Sequence, residues 1–315
     1  MQVDILLSTY NGAAYIGELL ESLQAQTTRD WILWIRDDSS SDDTRELCES
    51  FERKDSRIRL LPVDIRRLGA SGSFGELLIH VAPHGRYVMF CDQDDRWHAD
   101  KIEITLQALL EAETDNQTMP LLVHTDLVVV DETLRVISPS YWTYENKNPD
   151  LNTFRRLLVQ NTVTGCTAMI NKPLLDLAHS IPVGAAMHDW WLALLAAAFG
   201  RIVPIRRVTI DYRQHSQNVF GAQAYTLANM ISAAVALFSK QEFARRRRLL
   251  VERRVKQAAD YLAIYGSRLN KRDFAAVNAL ATMSSTGFFG KRWSILANGL
   301  FLQNLVRTLG LLVLV

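Results

Sequence analysis

Apolar runs and amphipathic stretches take strict turns through the first 125 residues, and this alternation leaves the chain few folds to choose from. Residues 3–7, 31–35, 58–63, 87–91 and 121–125 are rich in aliphatic, aromatic and β-branched side chains and are predicted as strands. Between them, helical spacing marks Tyr15, Ile16, Leu19, Leu20 and Leu23, then Leu47, Cys48 and Phe51 behind the cap-type residues Asp42, Asp43 and Thr44. A small-residue loop from Gly69 to Gly75 precedes a helix through Leu77, Leu78 and Val81, and Ile102, Leu106, Leu109 and Leu110 mark another. Strand–helix alternation implies an α/β fold, with parallel strands, right-handed crossovers and helices on both faces. Such sheets bind ligands beyond the carboxyl ends of their strands. Three polar clusters, residues 8–11, 37–41 and 92–95, follow three of the strands and should therefore meet in one crevice.

The third cluster, Asp92-Gln93-Asp94-Asp95, ends the buried run Tyr87-Val88-Met89-Phe90-Cys91. Aspartate is a poor strand former, so three of them at a strand end suggest a site. Carboxylates crowded in this way repel unless a cation sits among them, and hard ions such as Mg²⁺ or Mn²⁺ take oxygen ligands shared with a substrate phosphate. The plainer reading is a solvated acidic turn capping the next helix. No G-x-G-x-x-G follows the first strand and no G-x-x-x-x-G-K-[ST] occurs, which disfavours dinucleotide and P-loop cradles. In their place stand Thr9 and Tyr10 with Asp37 and Asp38. A carboxylate can accept from the ring N–H of a pyrimidine while an aromatic covers its face. With Asp94 on a metal, these parts describe a nucleotide-diphosphate site in which pyrophosphate leaves.

Leu6-Leu7-Ser8-Thr9-Tyr10-Asn11-Gly12, Arg36-Asp37-Asp38-Ser39-Ser40-Ser41-Asp42-Asp43-Thr44 and Phe90-Cys91-Asp92-Gln93-Asp94-Asp95-Arg96-Trp97 resemble the signature segments of family-2 glycosyltransferases with the GT-A fold. The resemblance covers roughly residues 3 to 220 and is closest to the bacterial rhamnosyltransferase-like subgroup. It implies a nucleotide-binding half over 1–125 and an acceptor-side half over 126–221, together a catalytic domain of 1–221, with a helical tail over 222–315. It also implies that Ser8, Thr9, Tyr10, Asp37, Asp38, Asp92 and Gln93 serve the nucleotide, with Asp38 on the base. Asp92 and Asp94 would form a DxD-type motif, with Asp94 on the metal. Inversion would proceed by single displacement, and Asp189 in Met187-His188-Asp189-Trp190-Trp191 stands where the family places its catalytic aspartate. The alternative for Asp189 is an N-cap of a helix over 190–199, and one role does not exclude the other. His215, in Arg213-Gln214-His215-Ser216, is either structural or a further contact to metal or pyrophosphate. The subgroup suggests dTDP-L-rhamnose as donor, with a UDP-hexose as the alternative, and a cell-surface polysaccharide, lipopolysaccharide or lipid-linked glycan as acceptor. The Gln-x-x-Arg-Trp motif of processive synthases is absent.

The middle of the chain reads as a strand over 163–170 and an extended stretch over 202–212. Three scattered cysteines argue against a disulfide framework or a zinc site and for a reducing cytoplasm. The N-terminus shows no signal-peptide pattern, and a net charge of +1 gives no general attraction to nucleic acid. Locally the charge is uneven. Residues 240–256 carry a basic run, and residues 291–315 are apolar but interrupted by Asn298, Gln303, Asn304 and Arg307. Both segments are either solvated or packed faces, or a peripheral contact with the cytoplasmic face of the inner membrane. Two other classes stay open: a sugar nucleotidyltransferase, for which the loop 8–12 lacks a glycine-rich basic signature, and a non-catalytic membrane-attached binding protein.

Overall fold

A computed structural model describes residues 1–64, 66–114, 116–216, 222, 224, 241, 244–245 and 251–315. The elements run β1 (Val3–Thr9), α1 (Ile16–Gln24), β2 (Trp31–Asp37), α2 (Thr44–Lys54), β3 (Ile58–Leu60), α3 (Gly69–Val81), β4 (Tyr87–Cys91), β5 (Arg96–Trp97) and α4 (Lys101–Glu113). They continue through β6 (Leu121–Asp131), β7 (Val136–Ser138), α5 (Tyr141–Tyr144), α6 (Phe154–Leu157), β8 (Ala168–Asn171), α7 (Lys172–Ala178), α8 (His188–Phe199) and β9 (Arg201–Gln214). Four helices close the described chain: α9 (Arg253–Tyr265), α10 (Lys271–Ala281), α11 (Phe288–Ala297) and α12 (Leu305–Leu314).

All nine strands form one sheet in the order β3-β2-β1-β4-β8-β6-β9-β5, with β7 beside β6. The first four strands are parallel, as their alternation with helices requires. Beyond them the expectation of a mostly parallel sheet needs correction. Strand β8 lies between β4 and β6 and is antiparallel to both, and β5 and β7 pair antiparallel with β9 and β6. The sheet is mixed. The intruding strand is shorter than predicted, because residues 165–167 form a 3₁₀ turn before β8 begins. A burial-driven apolar run cannot by itself say which way a strand points.

Three further elements differ from the sequence reading for visible reasons. The third strand ends at Leu60 rather than residue 63. The small residues from Gly69 onward are not a loop but the first turns of α3. Gly69 enters at φ 68°, open only to residues tolerant of left-handed backbone, and the Asp38 carboxylate accepts from the amides of Leu68 (2.8 Å) and Gly69 (2.7 Å). A distant carboxylate thus satisfies amides that a helix start leaves orphaned. Helix α8 begins at His188, and Met187 holds the N-cap position.

The described chain divides into two compact units. One comprises Met1–Thr143, Val163–Ile181 and Met187–Ala222, and contains the sheet. The other gathers Tyr144–Thr162, Pro182–Ala186 and Gln223–Val315. Residues 144–162 and 182–186, expected in the acceptor-side half, thus pack with the tail. Residue 221, the expected boundary, lies outside the described residues. In the second unit the buried Tyr261 ring lies 5.2 Å from Phe154 and 5.3 Å from Tyr265, centroid to centroid. Arg156 donates to the Leu302 carbonyl (2.9 Å) and Gln160 accepts from the Gln303 amide (2.9 Å). Asn270 and Asn304 cap α10 and α12 with their side-chain oxygens.

Candidate functional site

Parallel register brings the first three polar clusters side by side. Thr9 pairs with Asp37 across β1 and β2, and Leu7 pairs with Cys91 across β1 and β4. Their carboxyl ends therefore open onto one edge of the sheet, as the alternation predicted. Both turns that leave β1 and β2 use left-handed backbone away from glycine, Asn11 at φ 46° and Ser39 at φ 67°. The two turns brace each other: Ser40 Oγ accepts from the Asn11 amide (2.9 Å), and Asn11 Oδ1 accepts from the Ser41 amide (2.8 Å).

Gln93 joins the first and third clusters. Its Oε1 accepts from the Tyr10 amide (2.8 Å) and its Nε2 donates to the Tyr10 carbonyl (3.0 Å). A Cβ at Gly12 would come within 2.4 Å of Gln93 Oε1, so a larger residue there would displace this amide. Asp37 braces its own turn, accepting from Thr9 Oγ1 (3.1 Å), Ser40 Oγ (2.5 Å) and the Ser40 amide (3.1 Å). Ser8 and Tyr10 are half-buried at the carboxyl end of β1. The Arg67 guanidinium lies 3.8 Å from the Tyr10 ring centre.

Asp38 is 2% exposed and is held by Arg36, whose Nη1 lies 2.6 Å from Asp38 Oδ1. Burial works to raise the Asp38 carboxyl, but the Leu68 amide, Arg36 and the Gly69 amide together hold it below the usual carboxylate range. Arg36 also donates to Ser73 Oγ (2.7 Å) and the Arg66 carbonyl (2.9 Å). Asp38 is therefore first a brace for α3 and the segment before it, although among the described residues Oδ2 accepts one bond and has capacity for a second.

At the end of β4 the charges crowd. Asp92 and Asp95 offer carboxylate oxygens, and Cys166 its Sγ, all within 4.8 Å of one another. Burial, then the charges of Asp94 and Asp189, push the Asp92 carboxyl up to about 7. Asp95 is fully buried and is raised by burial and by its neighbours Asp94 and Asp92. Asp94 and Asp189 thus act on the same carboxylate, although 95 positions separate them in the chain. The His215 ring Nε2 sits 2.8 Å from Asp94 Oδ2.

Arg213 binds this loop to the rest of the unit. Its amide donates to Asp95 Oδ1 (3.2 Å), its Nε to the Asp94 carbonyl (2.9 Å) and its Nη1 to the Glu132 carbonyl (2.7 Å). Its Nη2 meets Glu18 Oε2 at 2.5 Å. The Tyr15 ring centre lies 4.7 Å from the Arg213 guanidinium, and the ring stacks with that of His215 at 4.7 Å.

Asp189 sits in the first turn of α8, where the helix dipole favours an anion. Its Oδ1 accepts from the Trp190 amide at 2.5 Å, and since Met187 caps the helix, Asp189 is not the N-cap. The preceding His188 is 2% exposed and packs its ring 4.0 Å from Phe74 and 5.0 Å from Phe90. Burial pulls its pKa to about 3, so it stays neutral. Trp191 is fully buried, a core residue rather than a sugar platform.

Sequence reasoning left Asp95, Cys166, Arg213 and Lys101 without roles. Lys101 is fully buried, and burial draws its ammonium down to about 8. Its position, in i, i+4, i+8 register with the buried Thr105 and Leu109, was the legible clue that it faces inward.

The donor set fits a divalent cation. Asp95 Oδ2 is buried and, among the described residues, lacks a partner at hydrogen-bond geometry, and the mutual repulsion around Asp92 is what a cation relieves. Burial pushes the Cys166 thiol well up, so it stays protonated and leaves binding to oxygen ligands, the preference of Mg²⁺ and Mn²⁺. A pH dependence follows. In an unfolded chain Asp92 titrates near 3.8, and in the folded protein at about 7, so the folded state binds a proton the unfolded one has lost. Stability of the metal-free protein therefore falls as pH rises from about 4 to about 7. We expect the gain in thermal midpoint on adding Mn²⁺ to grow with pH over that window, and Mn²⁺ affinity to weaken by up to about tenfold per unit below pH 7. Calorimetric scans with and without Mn²⁺ measure both, and a pH-independent gain would remove Asp92 from the cation site.

Residues 4–177 match the family model described as glycosyl transferase family 2. The chain is 28% identical over 230 residues to the dTDP-rhamnosyl transferase RfbG of Shigella flexneri, a match covering 69% of this chain and 74% of RfbG. It is 36% identical over 109 residues to the UDP-Glc:alpha-D-GlcNAc-diphosphoundecaprenol beta-1,3-glucosyltransferase WfgD of Escherichia coli, covering 35% of this chain and 41% of WfgD. Among solved structures, S. aureus TarS 1-349 in complex with UDP-GlcNAc superposes with a TM-score of 0.57 at 16% identity, covering 94% of this chain and 86% of TarS 1-349, a likeness of fold alone. With more than half of its length matched and a cation-binding acidic loop at the end of β4, the chain belongs to glycosyl transferase family 2 and is a metal-assisted enzyme that moves a sugar from a nucleotide-sugar donor to a glycan acceptor.

Proposed function

We propose that this enzyme inverts the donor sugar by a single displacement, with Asp189 as the base and Asp94 as the principal metal ligand. The observation that carries this reading is that Asp94 and Asp189 both act electrostatically on the half-buried Asp92 carboxyl. When bound, a divalent ion neutralises the donor pyrophosphate and makes it a better leaving group. Asp92 and His215 complete the set that holds the ion, His215 through its contact with Asp94. Tyr10 lies over one face of the base, and the remaining acceptor position of Asp38 Oδ2 takes the base N–H. Thr9, Asp37 and Gln93 keep the turns under the nucleotide in place, and Ser8 lines its pocket. Asp189 removes the proton from the acceptor hydroxyl as that oxygen attacks the anomeric carbon and the bond from that carbon to the diphosphate oxygen breaks, releasing the nucleoside diphosphate; the start of α8 favours an anion at this position.

A UDP-hexose is the favoured donor, because the WfgD match is the stronger in identity (36% against 28%). The longer RfbG match supports dTDP-L-rhamnose as the second reading. The acceptor is a growing surface polysaccharide or lipopolysaccharide, reached at the cytoplasmic face of the inner membrane by peripheral contact through residues 240–256 and 291–315. Thermal shift with Mn²⁺ and a panel of UDP-glucose, UDP-N-acetylglucosamine and dTDP-L-rhamnose decides the donor. The largest shift should come from a UDP-sugar; a shift confined to dTDP-L-rhamnose would replace this reading with the second.

A further inference from the structure

Residues 274–315 contain no aspartate or glutamate, yet hold Lys291, Arg292 and Arg307. In the same stretch lie the most exposed aromatic side chains of the described chain. Phe289 is 83% exposed, Trp293 70% and Phe288 62%, with Leu296 at 48%. At about 100° per residue these four positions of α11 occupy one arc of about 140°. Ile295 is the buried residue of that helix. Helix α12 shows the same division more sharply. Leu305, Val306, Leu309 and Val313 are exposed on one side, and Thr308, Leu311 and Leu314 are buried on the other. Eight large apolar side chains facing water on two short helices exceed the scattered exposure that a soluble surface normally carries.

We propose that α11 and α12 form an in-plane docking face for an anionic lipid bilayer, with Phe288, Phe289 and Trp293 entering the headgroup–acyl boundary. The proposal rests on the membrane attachment proposed above and moves its centre away from the basic run. Residues 240, 242–243 and 246–250 of that run lie outside the described residues, and Arg254 is 8% exposed within its own unit. Charge selects the occupant. Cations without a single acid in the surrounding 42 residues suit phosphate headgroups. A second copy docking through the same stretch would offer Lys291 and Arg292 no acid to pair with. The Arg292 guanidinium lies 3.5 Å from the Phe288 ring centre, so a cation and an exposed aromatic share one face of α11. Length argues for lying rather than spanning. Ten residues of α11 reach about 15 Å, half of a hydrocarbon core, and no helix among the described residues is long and apolar enough to cross a membrane.

The test is co-sedimentation of the full chain with phosphatidylcholine vesicles, with and without about 30% phosphatidylglycerol. Wild type should bind the anionic vesicles at least about tenfold more strongly than the neutral ones. The double variant Phe289→Ser/Trp293→Ser should lose at least about tenfold of the anionic-vesicle binding, and Lys291→Glu/Arg292→Glu should lose the preference for phosphatidylglycerol. These side chains are exposed, so the thermal midpoint and the Mn²⁺-dependent donor shift should match wild type; retention of both separates loss of docking from loss of the donor site. Undiminished vesicle binding by Phe289→Ser/Trp293→Ser overturns the proposal, as does a wild type that binds neither vesicle. A wild-type dimer in sedimentation velocity that the same variant dissociates overturns it in favour of a second copy.

Discussion

Asp94→Ala is expected to lower metal-dependent donor turnover by about a thousandfold or more, the scale of losing several kcal/mol of charge stabilisation at a leaving pyrophosphate. Its carboxylate is the partner of His215 at 2.8 Å, so the substitution also releases the imidazole that caps the same edge of the site. A second consequence separates this loss from general damage. Asp94 is one of the charges that raise Asp92, so in the alanine variant Asp92 should titrate lower and the metal-free protein should lose less stability between about pH 4 and 7. Turnover with saturating Mn²⁺ and melting curves across that window measure the two effects. Normal turnover by a well-folded Asp94→Ala would remove the acidic loop from the reaction.

Asp189→Asn should spare donor binding and abolish transfer. A positioned general base contributes about a hundredfold to ten-thousandfold, and an amide of the same shape cannot take the acceptor proton. The asparagine oxygen can still accept from the Trp190 amide, so the first turn of α8 keeps its local bond. The expected pattern is a donor affinity within a few-fold of wild type, with kcat for transfer reduced about a thousandfold. Isothermal titration with the donor and a single-turnover transfer assay would establish it. If donor affinity collapsed together with transfer, Asp189 would belong to the nucleotide site instead.

Half of this arrangement was legible in the linear chain because parallel strands obey a simple rule. Once residues 3–7, 31–35 and 87–91 were recognised as strands, the polar residues after each had to emerge on one edge, and the pairing of Thr9 with Asp37 follows. The remainder depends on burial and direction, which a pattern does not carry. Asp95 reads like its neighbours in sequence, yet it is the fully buried one that receives the Arg213 amide. Cys166 reached the acidic loop because β8 runs antiparallel to β4, an orientation its short apolar run could not announce. Asp38 looked like a ligand residue and is also the anion at the start of α3, where it accepts from the amides of Leu68 and Gly69 in a segment that read as a loop.

Every contact that Arg213 makes with the acidic loop, the Glu132 carbonyl or Glu18 reaches back at least 81 positions along the chain. Such distant closures form late, because long loops must shut before they are rewarded. A nascent polypeptide that has left the ribosome only as far as β8 already displays Asp92, Asp94 and Asp95 but lacks the guanidinium that fastens them. A chain that ends after β8 is therefore expected to hold Mn²⁺ more weakly than the full chain, which titration of the two with Mn²⁺ would measure.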